Sequence, residues 1–151
     1  MIPVLFYGAG CFAIAMILTI IVAMFKPIQT RDDWKSWRTF VVMMVLTALA
    51  PYMWAEGLTA KYGGTMKKTV EGVLYDAEID GNLEYYKVIW FKESKARVLA
   101  VSTEQASWGG TDRPLVAMTL VKKGDKWELE TYRVVRSDER NEDGFSFPPY
   151  F

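Results

Sequence analysis

Hydrophobic and polar positions fall into three regimes along the chain. Residues Ile2–Phe25 carry no charge, and residues 39–55 carry none either. Beyond residue 68 the apolar positions come in short runs with a period of two. Crossing a bilayer core of about 30 Å takes about 20 helical residues at about 1.5 Å each. The first run is long enough. Lys26-Pro27 closes it, because lysine marks an interface and proline stops a helix. The second run, residues 39–58, is shorter and contains Pro51, which predicts a kink or a helix end there. Trp34 and Trp37 on one side, and Tyr52 and Trp54 on the other, sit where aromatic belts belong. The pattern therefore predicts a two-helix transmembrane hairpin, with helices over 2–25 and 39–58 and a loop over 26–38. A cleaved signal peptide fits poorly: no Lys or Arg precedes Lys26, and the apolar core exceeds the usual length of about 7–15 residues. Gly8-Ala9-Gly10-Cys11 only faintly resembles a lipoprotein cleavage box.

Residues 59–68, with Gly63-Gly64, read as a short linker. The period of two then predicts an extramembrane β domain over 69–136. Its strands are expected over 69–79, 84–92, 96–103, 115–121 and 127–135, rich in β-branched and aromatic residues. Asp80-Gly81-Asn82, Glu93-Ser94-Lys95 and residues 122–126 supply the turns. Trp127, Leu129 and Thr131 would share one face, opposite Glu128 and Glu130. The fold class is thus a membrane-anchored α+β protein with a small antiparallel sheet of about five strands, a meander or open barrel.

Charge orients this picture. Lys26, Arg31, Lys35 and Arg38 lie in the loop between the apolar runs, and Lys61, Lys67 and Lys68 follow the second one. The positive-inside rule, with an uncharged N-terminal end, places the loop inside and both the N-terminus and the β domain outside. That is the periplasmic side of a bacterial inner membrane. From residue 59 onward fourteen basic and fifteen acidic residues are mixed, which argues against a nucleic-acid partner.

Candidate chemistry is sparse. Histidine is absent and Cys11 is the one cysteine. Structural zinc and His-based catalytic triads are thereby set aside, and no intramolecular disulfide is available. Gly63-Gly64 and Gly109-Gly110 are too sparse for a phosphate cradle. The adjacent acids Asp32/Asp33 and Asp138/Glu139 read as solvated loop charges. Glu56, the one acid of the helix region, lies where it can reach interfacial water. A ligand cavity inside the sheet would need residues such as Tyr86, Trp90 and Trp127 to converge. No enzymatic activity, metal or intrinsic cofactor is expected; contact with a bound lipid or pigment through a complex stays open.

Association surfaces remain. Ala9 with Ala13, and Cys11 with Ala15, are small residues four apart, a spacing that lets helices approach closely in lipid. Trp108 stands in the long connection 104–114 beside Gly109-Gly110, where an aromatic residue either anchors a partner or folds back over the sheet. The tail, 137–151, ends in Phe145, Phe147, Tyr150 and Phe151 around two prolines. It reads either as an extended strap docked on a partner or as a cover for its own domain. The expected role is a non-catalytic accessory subunit of a larger membrane complex, of which respiratory and photosynthetic assemblies are the type. Its partners would be other membrane subunits and the bilayer. The alternative is an anchored ligand-binding or assembly-factor domain.

Overall fold

The computed structural model describes residues 2–25 and 35–144. The first charge-free run forms α1 (Ile2–Phe25), and the second lies within α2 (Ser36–Leu58). Both are long and apolar enough to cross a membrane. The expected loop lies outside the described residues through residue 34, together with Lys26, Arg31, Asp32, Asp33 and Trp34. So does 145–151. Two compact units divide the chain between Met53 and Trp54.

In the first unit several helix hydroxyls are satisfied internally. Thr19 donates to the Ala15 carbonyl and Thr47 to the Met43 carbonyl, each at 2.7 Å. Such back-bonding lets a hydroxyl sit in an apolar helix without an unpaired polar group. Tyr7 donates to the Ala48 carbonyl at 2.7 Å, and the Phe12 ring meets Phe40 edge-on at 5.2 Å. The helix end considered at Pro51 does not occur: α2 continues to Leu58.

The second unit corrects the sequence reading at one place. Residues 59–68 are not a linker, and 69–79 is not a strand. A π-helical turn (Thr59–Gly63) follows α2 and leads into α3 (Gly64–Asp76). The reason is the spacing of Met66, Val70, Val73 and Leu74, which puts four buried side chains on one helical face. Gly63 is helical, not a hinge; a Cβ there would stand 3.1 Å from the Tyr86 hydroxyl, so glycine permits close approach. Asp80-Gly81-Asn82 accordingly joins a helix to a strand and is no hairpin turn. The helix closes with Glu78 at φ 54°, Glu78 N–H donating to Tyr75 and Ile79 N–H to Leu74, both at 3.0 Å. Buried Ile79 packs in the same core as Leu74, the apolar contact that accompanies this kind of helix end.

The other four long strands form where the alternation predicts them. They are β1 (Asn82–Lys92), β2 (Lys95–Gln105), β4 (Leu115–Lys123) and β5 (Lys126–Ser137). Two-residue strands β3 (Thr111–Asp112) and β6 (Glu142–Asp143) complete a six-stranded antiparallel sheet. Its order is β1-β2-β4-β5-β6, with β3 beside β2. One face, through Val88, Ala96, Val98, Val116, Met118 and Leu120, packs on α3. Tyr62 stacks on Phe91 at 3.8 Å, and Phe91 meets buried Trp127 edge-on. The Thr59 hydroxyl accepts the Val88 N–H at 2.8 Å, satisfying one donor on the edge strand β1.

The helical reading of 64–76 separates two neighbouring residues. Gly72 is exposed with open space around it, and Val70 is fully buried. Gly72→Ala is expected to stabilise the domain by about 0.5–1 kcal/mol through helix propensity. Val70→Ala is expected to destabilise it by about 2 kcal/mol through lost burial and a cavity. Denaturant melts of the two variants check this; a destabilising Gly72→Ala would contradict the helix.

Candidate functional site

The polar side chains that sequence reading left unassigned converge at one end of the sheet. There the connections α3–β1, β2–β3–β4 and β5–β6 meet. Asp112 on β3 is only 3 % exposed. Its carboxylate accepts the Ser137 hydroxyl at 2.7 Å, and the backbone N–H groups of Arg113 (2.7 Å), Glu139 (3.2 Å) and Asp138 (3.3 Å). Burial alone would raise its pKa. The Ser137 hydroxyl and the three N–H donors outweigh burial and hold the pKa below the ordinary carboxylate range.

Arg140 ties this knot to the helix end. It pairs with the nearly buried Glu104, and its Nη2 donates to the Glu78 carbonyl at 2.7 Å. That carbonyl belongs to the residue with positive φ that closes α3. The Glu104 carboxylate raises the Arg140 pKa, so the guanidinium stays charged throughout. Arg113 grips Glu84 with Nη2 at 2.7 Å and Nε at 3.0 Å, a two-pronged contact on the surface. A cleft of about 320 Å³ opens here between Thr111, Arg113, Arg136 and Asp138. Its acid Asp112 is saturated with donors, which suits a structural lock better than a proton-transfer group.

The connection 106–110 is pinned at its base. Ala106 and Gly110 bond at 2.9 Å, and Ser107 donates its N–H at 3.0 Å and its hydroxyl at 3.2 Å to Glu139. Trp108, at the tip, is 56 % exposed. Its ring lies against Gly110, where any side chain would strike the indole nitrogen. The pair Asp138/Glu139 is thus part of the lock through Glu139 and the Asp138 N–H.

Other candidates are dispersed. Tyr86 and Trp127 belong to the helix-facing core, whereas Trp90 stands outside it with Arg97 over its ring. The three do not converge on one cavity. Glu56 pairs with Lys87 at 2.7 Å. Cys11 and Ala15 are buried, while Ala9 and Ala13 are exposed. Cys11 borders an apolar groove of about 400 Å³ with Phe6, Tyr7, Ile14, Thr47 and Pro51. Phe145, Phe147, Tyr150 and Phe151 lie outside the described residues. Among the described residues no group of three or more His, Cys, Asp or Glu side chains is placed to hold a metal ion. Comparison of the chain with protein-family models, with characterised proteins and with solved structures finds no match.

The lowered pKa of Asp112 makes acid stability testable. Because the folded-state pKa lies below the unfolded value of about 3.9, its contribution is complete above about pH 4. It is lost as pH falls through the folded value. Asp112→Ala is expected to cost about 2–3 kcal/mol at pH 7, since it strands the buried Ser137 hydroxyl and several N–H donors. The gap between wild type and variant should narrow below about pH 4. Urea melts at pH 7 and pH 3 measure it; a gap that is unchanged or wider at pH 3 would reject the charged lock.

Proposed function

We propose that this chain is a non-catalytic accessory subunit of a larger membrane protein complex. In this reading α1 and α2 lie in a bacterial inner membrane, and the β domain stands on the periplasmic side. The observation that carries it is apolar surface left uncovered. In the most apolar stretches of the two membrane-length helices only 11 % and 6 % of residues are buried. Leu5, Phe6, Trp37 and Met53 each expose about two thirds of their surface or more. A core helix of a soluble protein buries such residues, and a soluble monomer seldom exposes contiguous apolar patches beyond a few hundred Å². Lipid is the solvent that suits them. Lys26, Arg31, Lys35 and Arg38 between the helices support a cytoplasmic loop.

Two features support a binding role. The polar residues at the loop end of the sheet are engaged with one another, so they serve rigidity. The pinned base of 106–110 holds an exposed indole in a fixed place, as an interface anchor requires. The partner is then another subunit with an apolar pocket in its extramembrane part.

One experiment addresses partner and sidedness together. In intact cells a cysteine at Ser107 should react with an impermeant thiol reagent. From the same cells, mild-detergent capture should bring down larger membrane subunits at fixed stoichiometry. Trp108→Ala is expected to weaken that association roughly 10- to 100-fold, as loss of an aromatic anchor of about 2 kcal/mol or somewhat more does. Recovery of the chain alone, with Trp108→Ala indistinguishable from wild type, would defeat the subunit reading. Labelling only after lysis would move the β domain to the cytoplasm.

A further inference from the structure

A proline inside α2 leaves a backbone acceptor beside an apolar groove. α2 runs through Pro51 without ending. In an α-helix each carbonyl accepts the N–H four residues on, and proline has none to give. The Thr47 carbonyl therefore receives no N–H from position 51. The Thr47 hydroxyl is already committed to the Met43 carbonyl at 2.7 Å. The next carbonyl, that of Ala48, accepts the Tyr7 hydroxyl of α1 at 2.7 Å. Among the described residues no side chain donates to the Thr47 carbonyl.

Thr47 and Pro51 line the groove of about 400 Å³ from the α2 side, opposite Tyr7, Gly10 and Cys11 of α1. Space at Gly10 is open, since a Cβ there would meet nothing within 4 Å. Small residues such as Gly10 and Cys11 let a third backbone come close in lipid. Depth decides what can fill the space. Thr47 lies seven residues before Trp54 and ten after Trp37. At about 1.5 Å per residue it stands about 10 Å and about 15 Å from the two aromatic belts, inside the hydrocarbon. Headgroup and water donors lie outside that layer, and an acyl chain has no donor at all. A second copy of this chain brings no spare hydroxyl at that depth, because Tyr7, Thr19 and Thr47 already donate. A polar side chain reaches mid-bilayer only on a segment that crosses it, and beside a helical hairpin that segment is a helix.

We infer that this groove seats a transmembrane helix of another subunit, and that this helix gives a hydroxyl or amide N–H to the Thr47 carbonyl. The inference rests on the membrane-subunit reading proposed above and adds a contact within the bilayer. Gly10 supplies the close approach, and Pro51 keeps the acceptor open for the partner.

The test captures the full chain from mild detergent in four forms: wild type, Gly10→Leu, Gly8→Leu and Pro51→Ala. Gly10→Leu fills the groove without striking its own chain. Gly8 is also exposed with open space but lies outside the groove, so Gly8→Leu is the matched control. Leucine and alanine favour helix over the residues they replace, so helical content should hold in all forms, which circular dichroism checks. Gly10→Leu is expected to weaken the partner's hold at least about tenfold, and Gly8→Leu to leave it unchanged. Pro51→Ala returns an N–H to the Thr47 carbonyl and should weaken it about 3- to 10-fold, as loss of one interhelical hydrogen bond does. Phe6→p-benzoylphenylalanine identifies the occupant, because Phe6 lines the groove and is 70 % exposed. Its photo-adduct should map to an apolar stretch of about 20 residues in another subunit, one that carries a hydroxyl or amide side chain, and should vanish with Gly10→Leu. Adducts with lipid alone, with a second copy, or with an extramembrane segment would overturn the inference. So would a complex that survives Gly10→Leu, or equal losses from Gly8→Leu and Gly10→Leu, and in these cases the proposed function stands. Wild type recovered with no other subunit would remove both.

Discussion

An apolar helix with no polar face is at rest only where water is absent, and that constraint governs the first third of this molecule. α1 carries no charged residue, and its hydroxyl at Thr19 is turned back on its own backbone. α2 does the same with Thr47. Within the first unit the contacts of Tyr7 with Ala48 and of Phe12 with Phe40 cover little of the remaining surface. Among the described residues most of this apolar surface stays exposed, and lipid is the proposed cover.

The second unit solves a different burial problem with its own residues. An antiparallel sheet of four long strands has two faces, and each needs an apolar cover or a polar coat. α3 covers one face through Met66, Val70, Val73 and Leu74. Its helix end is held by Arg140, which also reaches Glu104 on β2, while Asp112 gathers the start of the β5–β6 turn. These contacts lock the loop end of the sheet, and Trp108 is displayed from the connection they brace.

Legibility from sequence followed the range of the interaction. The four long strands could be read because alternation is local: Trp127, Leu129 and Thr131 against Glu128 and Glu130 is visible within five residues. α3 was legible in principle, since 66, 70, 73 and 74 share a helical face. Gly63-Gly64 and Gly72, with the β-branched residues of 69–73, masked that spacing and suggested linker and strand. Pro51 suggested a break, but α2 continues through it. The Asp112–Ser137 lock could not be read at all, because its partners stand 25 residues apart and meet only once the sheet has brought β3 to the end of β5. Trp108 was visible as an odd loop aromatic, yet its pinned base depends on Glu139, 32 residues away from Ser107.

The central claim is that α1 and α2 have lipid for a solvent, and collisional accessibility measures this directly. Nitroxide labels at Ile17 and Val45, both at least half exposed on their helices, would be read in bilayers against dissolved oxygen and a water-soluble nickel chelate. A label at Lys68, on the exposed side of α3, serves as the aqueous reference. The account predicts high oxygen and low nickel accessibility at 17 and 45, and the reverse at 68. Nickel accessibility at 17 and 45 equal to that at 68 would contradict it.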